Sequence, residues 1–276
     1  MREGLSFSRR GRGIGAALAA LAFVSSAMAA DALFPTPLHL VRRVEDPIAQ
    51  KATTFDEYCA GNRIVAVNGR YVAITDYERQ EITEIDHAAG TYSITRFDEI
   101  AKARPARSGA MAKQTAGWKT TPLAVKGSAA GRSLDSYELE APGSEKHTIN
   151  VGIDRQVVLS RGAVEALIGA SYPNTPSDEQ QQLLGVAAPH GQNARVAGDS
   201  AASAYGLPAE LTITYEGEGA KLVARNSILR VGNELPPADA LLIDPGSKRV
   251  ESPLTRTARE LKELDRLPAT LSHPRP

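Results

Sequence analysis

Alternating apolar and polar positions over residues 62–102 predict a meander of four β-strands followed by a helix. The predicted strands are rich in β-branched and aromatic residues, and we place them at 64–67, 71–77, 82–85 and 91–97. Asn68-Gly69 separates the first two strands, and this pair tolerates the positive φ of a tight hairpin turn. Residues 97–103 have helical composition, and Pro105 is expected to end that helix.

A second hairpin is predicted near the C-terminal end of the chain. Leu211, Ile213 and Tyr215 alternate with polar residues, which places the apolar side chains on one face of a strand. The chain then turns at residues 216–219 and returns as a second strand over 222–231. Shorter strands are predicted at 136–139, 147–151, 156–160 and 241–243.

Three further segments have helical character. Residues 161–170 form one, and Ser177 opens a capping box for a short helix that ends near Leu184. After Pro253, a first-turn proline, residues 253–267 place leucines near one helical stripe. Residues 38–52 mix apolar and charged positions, and residues 53–58 fit either the start of a short helix or a lead into the first strand, so this stretch stays open. Residues 185–206 are predicted to be loop.

The N-terminus has the three parts of an export signal. A basic start and an apolar run over residues 14–24 precede Ala27-Met28-Ala29, a small-x-small cleavage site. The apolar run is about half of the roughly 20 residues that a membrane span needs. We therefore predict a signal peptide over 1–29, with cleavage near Ala29, and a soluble periplasmic or secreted protein that is not an integral membrane protein.

Composition and charge agree with one exported domain. The full sequence has 32 basic and 32 acidic residues. Removal of residues 1–29 takes away four basic residues and one acidic residue, so the remaining chain has a net charge of about −3. That balance does not predict nucleic-acid binding. The single cysteine, Cys59, excludes an internal disulfide, and we interpret it as a small buried apolar residue.

Residues 102–133 contain seven basic residues and no acidic residue, together with Trp118, the one tryptophan. One interpretation is a mobile basic loop, near residues 103–133, that meets anionic lipid headgroups. The favoured interpretation is a solvated loop with a strand at its end, because the charges are widely spaced and share no helical face.

Several short motifs together resemble a known family. A meander that ends in Thr91-Tyr92-Ser93-Ile94 is followed by Gly131, by Tyr137-Glu138-Leu139, by Gly206-Leu207-Pro208 at the start of a hairpin, and by Pro245-Gly246. This order resembles exported proteins of unknown function that share the half-barrel of the lipoprotein-localisation factors LolA and LolB. The likeness covers roughly residues 60–250.

The resemblance implies an α+β fold, in which a strongly curved antiparallel β-sheet is covered on its concave face by a few helices. It implies one domain over residues 30–252, followed by a C-terminal helix and tail over 253–276. In the carriers of this superfamily the sheet encloses an apolar cavity that holds acyl chains. The aromatic residues expected nearest such a cavity are Tyr92, Trp118, Tyr137 and Tyr215.

Catalytic motifs are weak in this sequence. The nearest approach to a nucleophile elbow, at residues 198–202, lacks the final glycine. The five histidines have no partner at a convincing metal-ligand spacing, and the acidic residues over 76–86 lack the glycine-centred loop of a calcium motif. We therefore expect a non-enzyme without cofactor or metal.

Two functional classes remain open. The first is a periplasmic binder or carrier of a hydrophobic ligand, such as a lipid or the acyl chains of a lipoprotein. The second is a protein-interaction or scaffold module of the cell envelope that has no small-molecule ligand and docks its partner through the sheet edge or the C-terminal helix.

Overall fold

The computed structural model describes most of the chain between residues 32 and 256, in segments 32–47, 50–103, 117–143, 146–171, 177–189, 204–217, 220–253 and 255–256. The predicted signal peptide lies outside the described residues. So do parts of the predicted basic loop, of the 185–206 loop and of the C-terminal helix.

Thirteen strands of the described chain form one open, curved and mostly antiparallel sheet. The first six are β1 Phe34–Asp46, β2 Lys51–Gly61, β3 Arg63–Asn68, β4 Tyr71–Asp76, β5 Glu81–Asp86 and β6 Thr91–Arg96. The others are β7 Lys119–Pro122, β8 Gly127–Ala129, β9 Arg132–Glu140, β10 Lys146–Leu159, β11 Tyr205–Gly217, β12 Ala220–Gly232 and β13 Lys248–Arg249. Three helices accompany them: α1 Phe97–Ala103, α2 Arg161–Ser171 and α3 Ser177–Ala187.

Strand β1 lies in the middle of the sheet. Strands β2 to β6 follow on one side in chain order, and β12, β11, β10, β9 and β7 follow on the other. All pairings are antiparallel except that of β13, which is parallel to β6. The predicted class, α+β with a large curved sheet of mainly antiparallel strands, is confirmed.

The meander strands are confirmed to within about a residue at each end, and the late hairpin is confirmed with a first strand that begins earlier, at Tyr205. Gly69 supplies the positive φ, +60°, that the turn between β3 and β4 requires. Helix α1 begins directly after β6, as predicted.

Four details differ from the sequence-based predictions. The segment left open over residues 38–58 includes parts of two long strands, β1 and β2. The two strands predicted at 147–151 and 156–160 are one strand, β10, with an irregularity between Asp154 and Val158. The region predicted as loop over 185–206 begins inside α3 and ends inside β11. The last edge is β13 rather than 241–243, which follows a 3-10 turn at Ala238–Leu241.

Helices α2 and α3 pack on one face of the sheet. Ala163 and Leu167 of α2 join a core cluster with Leu40 and Cys59 of β1 and β2. The neighbouring stripe of α2, with Val164, joins a second cluster that contains α3 and the strands β9 to β11. Ser160 Oγ accepts a hydrogen bond from the Ala163 N–H at 3.1 Å and so caps the start of α2.

A smaller cluster lies on the meander, around Val65, Val72 and Ile85. The segment 233–250, which we call the C-terminal strap, passes over it from the end of β12 to β13. Ala240 of the strap packs against the cluster, and the 3-10 turn that contains it contacts β4.

Candidate functional site

One face of β11 passes from the core into solvent. Leu211 is 2% exposed and belongs to the core beneath α3, Ile213 is half-buried, and Tyr215 is 44% exposed. These residues alternate along an unbroken register with β12, in which Tyr215 lies opposite Leu222, itself 43% exposed. The apolar row that the core uses at one end is therefore open to solvent at the other.

His147 supports this row from the neighbouring strand. It lies opposite Tyr215 in the β10–β11 register, and the two rings stack with centroids 4.2 Å apart. Trp118 also contacts His147, in an edge-on geometry, and the centroids of these two rings are 5.6 Å apart. We call the group of Trp118, His147, Ile213, Tyr215 and Leu222 the aromatic shelf.

The first turn of α3 brings carboxylates to the shelf. Trp118 Nε1 donates to Asp178 Oδ2 at 3.4 Å, and Glu179 Oε1 lies 3.7 Å from His147 Nδ1. Acidic residues at this position are also favoured by the helix dipole. Burial lowers the pKa of His147, and the charge of Asp178 opposes that shift only in part. Burial therefore favours the neutral imidazole beneath Tyr215.

Tyr137 lies in the same core cluster as Trp118 but has a different polar contact. Its hydroxyl accepts a hydrogen bond from Arg155 Nη2 at 3.3 Å. The same guanidinium donates to the carbonyls of Val186, Ala187 and Ala188 at 2.6–2.8 Å. Arg155 thus satisfies the free carbonyls at the end of α3, and Tyr137 helps to orient it.

A pocket of about 510 Å³ lies beside this arginine. Its lining includes Lys126, Asp135 and Arg155. Asp135 Oδ2 accepts a hydrogen bond from Arg155 Nε at 3.4 Å, and Asp135 Oδ1 lies 4.0 Å from Lys126 Nζ in an ion pair. Because the arginine is committed to α3 and Asp135, the pocket offers little free charge to a ligand.

Tyr92 lies in a different part of the molecule. It packs against the meander cluster of Val65, Val72 and Ile85, beneath the C-terminal strap. Of the four aromatic residues predicted to line a cavity, the structure thus brings Trp118 and Tyr215 together through His147. Tyr137 is near the end of α3, and Tyr92 is on a separate cluster.

Sequence reasoning did not select His147 for the site. The signal was present, because His147 alternates with Ile149 and Val151 and so falls on the apolar face of its strand. Its position opposite Tyr215 depends on a strand pairing across more than sixty residues, which local patterns do not reveal.

Within the segments that the structure describes, His, Cys, Asp and Glu residues form no group of three or more that could hold a metal ion. Cys59 is 1% exposed, in agreement with its interpretation as a buried apolar residue, and burial raises the pKa of its thiol. None of the helices in the described segments is both long and apolar enough to cross a membrane.

Comparison with known proteins finds only distant likenesses. No protein-family model and no curated protein matches the sequence. Among solved structures, PNGF-II in a P21 space group matches at 9% identity and a TM-score of 0.36, covering 82% of this chain and 34% of its own. The MucA/MucB complex of Pseudomonas aeruginosa matches at 11% identity and a TM-score of 0.35, covering 76% of this chain and 56% of its own. MucB alone matches at 12% identity and a TM-score of 0.34, covering 80% of this chain and 61% of its own.

This chain therefore spans between about one third and about three fifths of the length of these three structures. Similarity at these scores supports no statement about function, which has to be argued from the residues of this chain.

Proposed function

We propose that this chain is a non-enzymatic binding protein of the cell envelope, exported through its N-terminal signal, and that it holds the aliphatic part of a hydrophobic ligand on the aromatic shelf. The observation that carries the proposal is the row on β11, in which the apolar face buried at Leu211 continues to a half-exposed Tyr215. Ligand sites are lined mainly by apolar and aromatic side chains with a few polar groups, and the aromatic shelf has that composition.

The arrangement of the helices supports the same proposal. We take the face that carries α2 and α3 to be the concave face of the half-barrel. The two helices cover its middle, at Leu40, Cys59 and Leu211. Tyr215 and Leu222 lie beyond the core, where an acyl chain could extend along the strands.

The chemistry of the shelf suits an apolar chain that carries a polar group. Tyr215 and Leu222 offer aromatic and aliphatic surface, and burial of such surface contributes about 25 cal/mol per Å². Asp178 and Glu179 lie at one end of the shelf, at the start of α3. A lipid, or the acylated end of a lipoprotein, would have both the apolar chain and the polar group.

The experiment is mass spectrometry of residues 30–276 purified from the periplasm, under native and denaturing conditions. We expect extra mass that disappears on denaturation and is recovered as lipid in an organic extract. The variant Tyr215→Lys should lose that mass and keep the far-UV circular dichroism spectrum of the parent. The matched control is Tyr71→Lys, because Tyr71 is 40% exposed on the meander and lies outside the shelf.

A bare mass in the parent protein would contradict the proposal. Equal loading of the Tyr215→Lys and Tyr71→Lys variants would place the ligand elsewhere and so contradict the shelf as its site.

A second candidate function is a protein-interaction module without a ligand. It is favoured by the outer side of the C-terminal strap, where Leu235 is 62% exposed and Leu242 is 61% exposed. Leu242 lies between two further exposed apolar residues, Leu241 at 38% and Ile243 at 41%, and contiguous exposed apolar patches are typical of protein interfaces. This function predicts a bare mass, together with an envelope protein that copurifies with the parent and is lost from the variant Leu235→Ser/Leu242→Ser.

A further inference from the structure

The C-terminal strap is attached to the sheet mainly by polar contacts. At its start, Glu234 Oε2 accepts a hydrogen bond from His39 Nδ1 at 3.0 Å. Near its end, Asp244 Oδ2 lies 3.0 Å from His87 Nδ1. Two backbone hydrogen bonds then join β13 to the edge of the sheet, from Lys248 N to Gly90 O at 2.9 Å and from Val250 N to Tyr92 O at 2.8 Å.

The first of these attachments is part of a larger network. His39 Nε2 contacts Asp56 Oδ1 at 2.8 Å, and its ring stacks on Tyr58 with centroids 4.2 Å apart. Arg230 lies 3.1 Å from His39 Nδ1 and 3.2 Å from Glu234 Oε1. Glu234 is thus fixed to β1 and β12, while the attachment at Asp244 is a single side-chain pair.

The strap buries almost nothing of itself. Every residue from 233 to 250 is exposed or half-buried, and the 3-10 turn at Ala238–Leu241 has no buried residue. Leu235 and Leu242 are more than 60% exposed. Hydrophobic burial therefore contributes little to holding the strap in place, and segments with few buried apolar contacts open more easily than the core.

What lies beneath the strap is well buried. Val72 and Ile85 are each 1% exposed, and Val65 is 3% exposed. Tyr92 and Ala240 pack against these three residues. A movement of the strap would remove Ala240 from this cluster and uncover an apolar surface on the outside of the meander.

We infer that the C-terminal strap opens as a local unit while the sheet stays folded, and that opening exposes a second apolar surface around Val72 and Tyr92. The two carboxylates Glu234 and Asp244 act as the latches of this unit. The inference concerns the face of β3 to β6 beneath the strap, and it does not depend on ligand binding at the aromatic shelf.

The test compares the labelling rates of two thiols in one molecule. Native Cys59 is 1% exposed in the cluster beneath α2, and a Val72→Cys variant adds a second thiol, at a site that is also 1% exposed, beneath the strap. The reaction of each thiol with an alkylating reagent is followed by peptide mass spectrometry. Each rate is divided by the rate of the same thiol in urea-unfolded protein, which removes differences in intrinsic reactivity.

We expect the thiol at position 72 to react at least about tenfold faster than Cys59, because local opening is more frequent than global unfolding. Adding Glu234→Gln and Asp244→Asn should speed the reaction at position 72 by about fivefold or more and leave Cys59 unchanged. The control is Asp239→Asn, an exposed carboxylate on the same strap, which should alter neither rate.

Equal normalised rates at the two thiols would overturn the inference. So would latch variants that speed both thiols by the same factor, because that result describes global destabilisation. If Val72→Cys disturbs the meander, Ile85→Cys provides the same measurement at an equally buried position.

Discussion

The hydroxyl of Tyr77 donates a hydrogen bond of 3.0 Å to the backbone carbonyl of Ala166. This contact joins the meander to α2, two parts of the molecule that are separated by 89 positions in the sequence. The ring of Tyr77 also packs edge-on against Phe97, with centroids 5.8 Å apart. Tyr77 also packs against the core cluster that contains Ala163 and Leu167 of α2, so its contact with α2 has a polar and an apolar part.

The variant Tyr77→Phe should lose only the polar part of this contact. We expect the free energy of unfolding to fall by about 1 kcal/mol, the usual net contribution of one hydrogen bond. Urea denaturation measures the change. Tyr71→Phe is the matched control, because its hydroxyl bonds Glu84 at the surface. A loss of the same size in both variants would show that the contact with α2 has no special role.

Arg155 is expected to be the most important surface-accessible cation for stability. Its side chain is 23% exposed, and it donates to three carbonyls at the end of α3. The variant Arg155→Met keeps the aliphatic stem but leaves those carbonyls without this donor. We expect a loss of about 2 kcal/mol, measured by chemical denaturation.

The control for this variant is Arg96→Met. Arg96 is 67% exposed and pairs with Asp98 at 3.6 Å, and surface ion pairs contribute about 0–1 kcal/mol. If Arg155→Met cost no more than Arg96→Met, the guanidinium would not be stabilising the end of α3.

Local patterns predicted the meander well because its turns are short and contain residues that suit positive φ, such as Gly69. They did not predict β1, which breaks the expected alternation. His39 and Arg42 are both 2% exposed, so charged and aromatic polar side chains occupy positions that a pattern search expects to be apolar. Arg42 pairs with Glu57 of β2, 15 positions away. Two other partners, Glu234 and Asn226, lie 195 and 184 positions away in the sequence.

Only part of the candidate site could be predicted from the sequence, because its residues also come from segments that are far apart in the chain. Tyr215 was assigned to an apolar face, and Leu211 and Ile213 confirm that assignment. Which aromatic residues share a site depends on strand register and on helix packing. Tyr92 and Tyr137 have the same side chain as Tyr215, so their residue type does not distinguish them. The strand pairing of β6 and β9 places them outside the aromatic shelf.

Stability should depend on the protonation of His147. Burial lowers the pKa of its imidazole, with Asp178 opposing the shift. In the unfolded chain, the imidazole of His147 becomes protonated as the pH falls through about 6.5. In the folded protein, the same imidazole becomes protonated only at a lower pH. The resulting contribution to stability is complete above about pH 6.5 and is lost progressively as the pH falls below that value.

The variant His147→Gln should remove this dependence. We expect the difference in urea midpoint between pH 7.5 and pH 5.5 to be smaller in the variant than in the parent protein. Both proteins are measured in the same buffers, so the titration of other groups cancels. Equal pH dependence in the two proteins would contradict a lowered pKa at His147.

The buried pair of Arg42 and Glu57 should show strong energetic coupling. Both residues are 2% exposed, and Arg42 Nε donates to Glu57 Oε2 at 2.5 Å. Glu57→Gln leaves a buried cation beside a neutral group, so we expect a loss of about 3 kcal/mol. Arg42→Met/Glu57→Met removes both charges and should lose less than Arg42→Met alone or Glu57→Met alone. The exposed pair of Arg225 and Glu45, 3.2 Å apart, is the control and should couple by about 0.5 kcal/mol. Additive losses at Arg42 and Glu57 in chemical denaturation would contradict coupling between the two charges.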